Sequence, residues 1–295
     1  MRNLMRHAPM VVLLGTLGTT AILANDYVTE IEAWRVEREA GLAADDGWLT
    51  VSALFFLRDG ETTFGSSPRN DLVVPGLPAD AGVLTLEDGR VTVRAHAGDT
   101  LTIDDQESEG AQLYPSEKRV AVRSGPVSFW VHLSGARLAI RVRDTDAELR
   151  KEFTGLEWFP VDDRYRVRGR FTPHSEPITV KTMNILGDVE TYTSSGYVTL
   201  SVEGREVRML PVNSGQRLWF IMRDLTSGEE TYGAARFLYA DVPDDDGWTT
   251  VDFNKAYNPP CAFNPHTTCP LPPPDNRLDM RIEAGEKNYL GPGAH

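Results

Sequence analysis

Tyr165-Arg166-Val167-Arg168-Gly169-Arg170-Phe171 carries an arginine at every second position. Successive side chains of a strand point to opposite faces, so period two predicts a half-buried β-strand here. The same period returns downstream. Tyr197 to Val202 puts Val198, Leu200 and Val202 on one face and stops at the turn pair Glu203-Gly204, and Val207 to Val212 pairs back. Arg217 to Met222 is nearly continuous apolar sequence, as in a strand buried on both faces. Pro177 to Val180, Ala235 to Ala240 and Thr249 to Phe253 complete a β unit over residues 151–295.

Toward the N-terminus the pattern stays β. Trp48-Leu49-Thr50-Val51 and Ala53 to Leu57 read as strand, broken at Asp59-Gly60, a hairpin signal. Short strands then recur to about Asp144, with turns at Glu87-Asp88-Gly89 and Ser134-Gly135. Their spacing of about 8–12 residues predicts a sandwich or barrel-like unit over residues 45–150. Residues 25–44 read as one amphipathic helix, capped by Asn25 or Asp26, with Tyr27, Ile31 and Trp34 on its inner face. Arg35 and Arg38 fall elsewhere, on a solvated face or in structural ion pairs. The expected fold is mainly β: an N-terminal helix, two β units and a proline-rich C-terminal loop.

That loop begins Asp252-Phe253-Asn254-Lys255-Ala256-Tyr257-Asn258-Pro259-Pro260-Cys261 and runs through Cys269 and Pro274 to Asn276. Seven of the nineteen prolines lie in it, which excludes a regular helix or central strand. Phe253, Tyr257, Phe263 and Leu271 give it apolar anchors for a core. Cys261 and Cys269 are the only cysteines, and a disulfide between them would close a nine-residue loop. Such a bridge contributes roughly 2.5 kcal/mol by chain entropy. The alternative, a metal site from Cys261, His266 and Cys269 with His174, matches no standard zinc spacing.

Residues 1–24 read as a secretory leader. Arg2 and Arg6 open it, Met10 to Leu23 is apolar or small, and Ile22-Leu23-Ala24 offers a cut before Asn25. This predicts export to a periplasmic or extracellular space, where a cysteine pair oxidises. A net charge of −13 argues against nucleic acid and against anionic lipid, so no membrane partner is expected once the leader is removed.

The C-terminal stretch, with Asn276-Arg277-Leu278 and Ala284-Gly285-Glu286-Lys287, resembles the bacterial domain of unknown function 1684 family. So do Trp34-Arg35…Arg38, Gly47-Trp48-Leu49, Arg141-Val142-Arg143-Asp144 and Asp224-Leu225-Thr226-Ser227-Gly228…Thr231-Tyr232…Arg236. The resemblance implies a domain identity and no activity, substrate or cofactor. Separately, Asp59-Gly60…Phe64-Gly65…Asn70-Asp71-Leu72-Val73-Val74 looks like the opening of a forkhead-associated sandwich. That family binds phosphothreonine through an arginine after the glycine. Ser66 stands there in this chain, so the resemblance implies the architecture and not the activity.

No nucleophile elbow, zinc-protease helix, Walker loop or dinucleotide fingerprint is present, and no cofactor is expected. The candidate binding residues are Arg141, Asp144, Asp224, Thr231, Tyr232, Arg236, Asp252, Asn254 and Asn258, several at strand ends where the β units could meet. Paired Arg and Asp there suit a small anionic or polyhydroxy ligand in one polar pocket. Their structural alternative is a buried salt-bridge network. A catalytic alternative is a metal-independent hydrolase using Asp224 or Asp252 with Tyr232.

Overall fold

The computed structural model describes residues 17–294, with side chains from Asp26 onward. Of the predicted leader, residues 1–16 lie outside the described residues. Helix α1 spans Leu17–Ala43, so its start differs from the expected Asn25. Its buried stripe is Tyr27, Ile31, Arg35 and Leu42, while Trp34 is only half buried. Tyr27 and Ile31 are buried as expected, and the helix also turns Arg35 inward, where it pairs with Glu32 at 3.0 Å and donates to the Phe159 carbonyl at 2.8 Å. A buried guanidinium is tolerated only with such an acceptor.

The first β unit runs through β1 (Val51–Phe56), β2 (Gly60–Gly65), β3 (Leu72–Val73), β4 (Gly82–Glu87), β5 (Arg90–Ala95), β6 (Leu101–Ile103), β7 (Gln106–Ser108), β8 (Gly110–Tyr114), β9 (Val122–Ser124), β10 (Val127–Ser134) and β11 (Arg137–Asp144). They form two sheets, ordered β1-β11-β10-β9-β6-β7 and β3-β2-β4-β5-β8. Phe64, Leu84 and Val93 of one sheet share a core with Phe129, Ile140 and Val142 of the other. Glu87-Asp88-Gly89 and Ser134-Gly135 close hairpins as expected. Asp59-Gly60 does not. β1 pairs with β11 and β2 with β4, so the chain crosses between sheets at this turn. Trp48–Thr50 is a 3₁₀ turn rather than strand, placed where α1 hands over to β1.

The second unit holds β12 (Arg166–Met183), β13 (Val189–Val202), β14 (Arg205–Met209), β15 (Val212–Ser214), β16 (Arg217–Met222), β17 (Arg236–Asp241) and β18 (Trp248–Asp252). Their sheets are β14-β13-β12-β18 and β15-β16-β17. In β12 Val167 and Gly169 are buried and Arg166, Arg168 and Arg170 exposed, as the alternation requires. Expected strands at 165–171 and 177–180 are one strand, with a register shift between Pro173 and Ile178. Leu218, Phe220, Met222, Leu238 and Ala240 point into the core between the two sheets. The odd-numbered neighbours Trp219, Ile221 and Phe237 face the other way, toward α1 and the proline-rich loop. The β10–β11 hairpin ties the units together: Arg137 and Ser134 both reach the Asp188 carboxylate at 2.7 Å.

The proline-rich loop contains only 3₁₀ turns, at Phe253–Lys255, Pro260–Ala262 and Pro274–Asn276, and is largely buried.

Candidate functional site

The nine predicted binding residues do not form one pocket. Asp224, Thr231 and Arg236 meet in a buried cluster. Asp224 Oδ2 accepts from Arg236 Nη1 at 2.6 Å, and Oδ1 accepts from the backbone and hydroxyl of Thr226 at 2.8 and 2.7 Å. Arg236 also donates to the carbonyls of Ile282 and Ala284, and the Thr226 and Thr231 hydroxyls bond at 2.9 Å. Both charged side chains are completely buried. This cluster pins the 224–231 loop to the C-terminal segment. Tyr232 points elsewhere, donating to the Cys261 carbonyl at 3.3 Å.

Asp252 and Asn254 form a second cluster. The Tyr27 hydroxyl donates to both Asp252 oxygens at 2.9 Å, and Asn254 binds Asp252, Tyr27 and the backbone of Asp162. Burial and the Asp252 charge push the Tyr27 hydroxyl far above its usual range. Asn258 donates to the Lys287 carbonyl at 2.7 Å. Asp144 caps a turn through the Asp146 amide at 2.8 Å, apart from the rest. Arg141 is buried over the Trp48 ring, 3.4 Å from Thr268 Oγ1, and burial pushes its pKa down to about 10.

What the fold does build is an aromatic cavity of about 450 Å³. Register creates it. Trp219 and Tyr239 sit opposite each other on β16 and β17, and their rings stack at 6.1 Å and 17°. Phe237, two residues before Tyr239, meets Trp219 edge-on at 4.9 Å. The proline-rich loop then zips onto β17 by paired backbone bonds between Phe237 and Tyr257, 2.8 and 2.9 Å. That register lays Tyr257 beside Tyr239, 6.3 Å apart at 20°. Trp48, Thr267, Thr268 and Cys269 close the walls.

Among the described residues Arg38 is the one charged side chain lining this cavity. Its guanidinium lies 4.5 Å from the Tyr257 ring centre and donates to the Asn258 carbonyl at 3.0 Å. Its Nε reaches Glu286 Oε2 at 3.4 Å, and its Nη1 makes no hydrogen bond among the described residues. Glu286 is fully buried, and burial pushes its carboxyl up to about 7 against the pull of Arg38 and Asn258. Gly285 makes this placement possible. Its φ is +81°, and an added Cβ would stand 2.4 Å from the Ala256 carbonyl oxygen. With no side chain there, the Glu286 amide closes on that same oxygen at 2.8 Å.

A second, polar cavity of about 470 Å³ shares Tyr239 and Tyr257 as its wall. Glu30, Asp241 and Asp252 line it together with Arg166, Arg217 and Lys255. Lys255 pairs with Glu30 at 2.7 Å, and Arg217 lies 4.1 Å from the Tyr239 ring centre. Asp224 and Tyr232 line neither cavity.

Cys261 and Cys269 are buried free thiols, so the expected bridge is not formed in this structure. The Cys261 amide donates to Cys269 Sγ at 3.2 Å. The hydrogen bond to Cys269, with burial, pushes the Cys261 thiol far above its usual range. Among the described residues no three His, Cys, Asp or Glu side chains are placed to hold a metal ion.

Residues 151–287 match the family described as protein of unknown function, DUF1684. The solution structure of an uncharacterised protein of Haloarcula marismortui is 30% identical, over 48% of this chain and 80% of that one, with a TM-score of 0.40. The chain belongs to the DUF1684 family. The FHA domain of FhaA, crystallised with the intracellular domain of Rv3910, is 15% identical over 30% of this chain and 97% of its own, at a TM-score of 0.22. No curated protein matches. The DUF1684 region supplies Trp219, Phe237, Tyr239, Tyr257 and Glu286, while Arg38 and Trp48 come from outside it. Sequence reasoning missed these aromatic walls. Their signal was an aromatic at alternate positions, Phe237 and Tyr239, on a strand whose other face carries Leu238 and Ala240.

Proposed function

We propose that the protein is an exported binding module whose aromatic cavity holds a small anionic ligand with a planar ring. The observation that carries this reading is Arg38, whose guanidinium keeps one nitrogen uncommitted among the described residues on a cavity walled by five aromatic rings. The volume lies in the range of about 300–1,000 Å³ usual for small-molecule sites. Stacking on the rings supplies area, and the guanidinium fixes the charged end. Export rests on the leader, and an intact mass beginning at Asn25 tests it.

Aromatic carboxylates such as benzoate, titrated beside their neutral amides, test the ligand class through Trp48 and Trp219 fluorescence. Carboxylates are expected to bind and amides to bind at least about tenfold more weakly, the worth of one charge-assisted bond. Arg38→Gln is expected to abolish that difference. Equal binding of acid and amide, or Arg38→Gln behaving as wild type, would overturn the reading. A polyhydroxy ligand is favoured by the second cavity, where three acids and three bases surround the shared tyrosines. The hydrolase alternative would draw on Asp252, which lines the second cavity, while Asp224 and Tyr232 line neither cavity.

A further inference from the structure

A different site lies on the first β unit and shares no lining residue with either cavity. Strand register sets Arg123 of β9, Ser128 of β10 and Arg143 of β11 side by side in one row. Val122, Val127, Phe129 and Val142, the alternate residues of the same strands, are buried in the core, so this row belongs to the outer face. Trp130 stands in the next row on that face. Arg143 lies 5.0 Å and Arg119 4.7 Å from its ring centre. The three arginines, Ser128 and Trp130 line a cavity of about 270 Å³, together with Asp45 and Asp46 at its edge.

The charges here are not balanced from within. Arg119 and Arg143 have no carboxylate partner among the described residues, although the chain carries 43 acids against 30 bases. Arg123 pairs with Asp105 at 3.4 Å. Asp45 is taken by Arg150 at 2.8 Å. Asp46 gives Arg143 a backbone carbonyl at 2.6 Å, and its carboxylate partly offsets the local charge. Arg143 Nε is buried with no acceptor. Burial lowers the Arg143 pKa; Asp46 opposes this, and Arg119 and Arg123 deepen it, as mutual repulsion requires.

We propose that this cavity binds a tetrahedral oxyanion, the phosphate or sulfate group of a small molecule. Two guanidinium groups flanking a hydroxyl in one row offer convergent donors, and such donors bind oxyanions with charge-assisted bonds. Arg119 and the Trp130 ring form the adjoining wall. Ser66, where the forkhead-associated pattern has its arginine, follows β2 on the opposite sheet and is not among the residues of this cavity.

Calorimetric titration of the whole protein with sodium sulfate and sodium phosphate, against chloride at matched ionic strength, tests the site. Saturable binding of both oxyanions is expected. Arg119→Gln and Arg143→Gln are each expected to weaken it about tenfold. Arg143→Gln disturbs a half-buried residue, so exposed Arg119 and Arg123 carry the decisive variants, with thermal unfolding confirming their fold. An oxyanion effect no larger than that of chloride overturns the proposal. So does unchanged binding in the Arg119→Gln/Arg123→Gln double variant. Phenyl phosphate distinguishes the source. Tighter binding than inorganic phosphate supports an esterified group resting against Trp130, and equal binding supports the free anion.

Discussion

Asp224→Ala is expected to destabilise the protein by about 3–5 kcal/mol, the cost of stranding a buried charge. Arg236 would keep the carbonyls of Ile282 and Ala284 but lose its only carboxylate, in a place with no exposure. Its Nε already lacks an acceptor. The Thr226 amide and hydroxyl would lose theirs as well, so the 224–231 loop would detach from the C-terminal segment. Urea unfolding followed by circular dichroism measures this. Removing both charges, as Asp224→Leu with Arg236→Met, is expected to recover much of the loss, because a buried pair is costly to break yet replaceable by apolar residues of similar volume. A loss below 1 kcal/mol in Asp224→Ala would show that Arg236 is not held by this pair.

Stability is expected to fall as pH rises from about 5 to 8, and Glu286→Gln is expected to flatten that fall. Glu286 binds its proton more tightly folded than unfolded, with a pKa near 7 against an ordinary 4.5. Between these values the native state holds the extra proton, so the contribution is fully present below about 4.5 and is lost as pH passes 7. The full span corresponds to about 3 kcal/mol. Above it a carboxylate sits in a fully buried place, answered mainly by Arg38 at 3.4 Å. Wild type and Glu286→Gln unfolded in urea at pH 5, 6, 7 and 8 give the two slopes. Identical slopes would mean that Glu286 titrates normally. The same proton bears on the cavity: below pH 7 a neutral Glu286 leaves the Arg38 charge for a ligand, so anions should bind more tightly there.

Local signals proved sufficient where the interactions they report are local. Glu203-Gly204 turns back because both residues take positive φ, 49° and 79°, and β13 and β14 pair across them. The Arg166/Arg168/Arg170 alternation survives because β12 has one face on the core and one in water. Asp59-Gly60 shows where such reasoning stops. Gly60 does adopt a turn conformation, with φ of 99°, yet the strands it joins lie in different sheets. Turn chemistry sets the bend and says nothing of the partner. The helix shows the same limit. Tyr27, Ile31 and Trp34 marked its apolar side, but the surface it meets includes the Phe159 carbonyl and the Glu286 carboxylate, which draw Arg35 and Arg38 inward.

From its residues alone this chain is a mainly β protein with an N-terminal helix and a buried proline-rich tail, because period, turn residues and proline geometry act within a few positions of each other. Every one of the nine candidate binding residues carries chemistry that its neighbours use, but Asp224, Asp252 and Asn258 serve three separate clusters. The aromatic cavity depends on contacts between residues far apart in the chain, Arg38 with Tyr257 and Trp48 with Arg141. Only tertiary structure could decide it, since the packing of β17 against the tail, and of the helix against both, selects which side chains share a space.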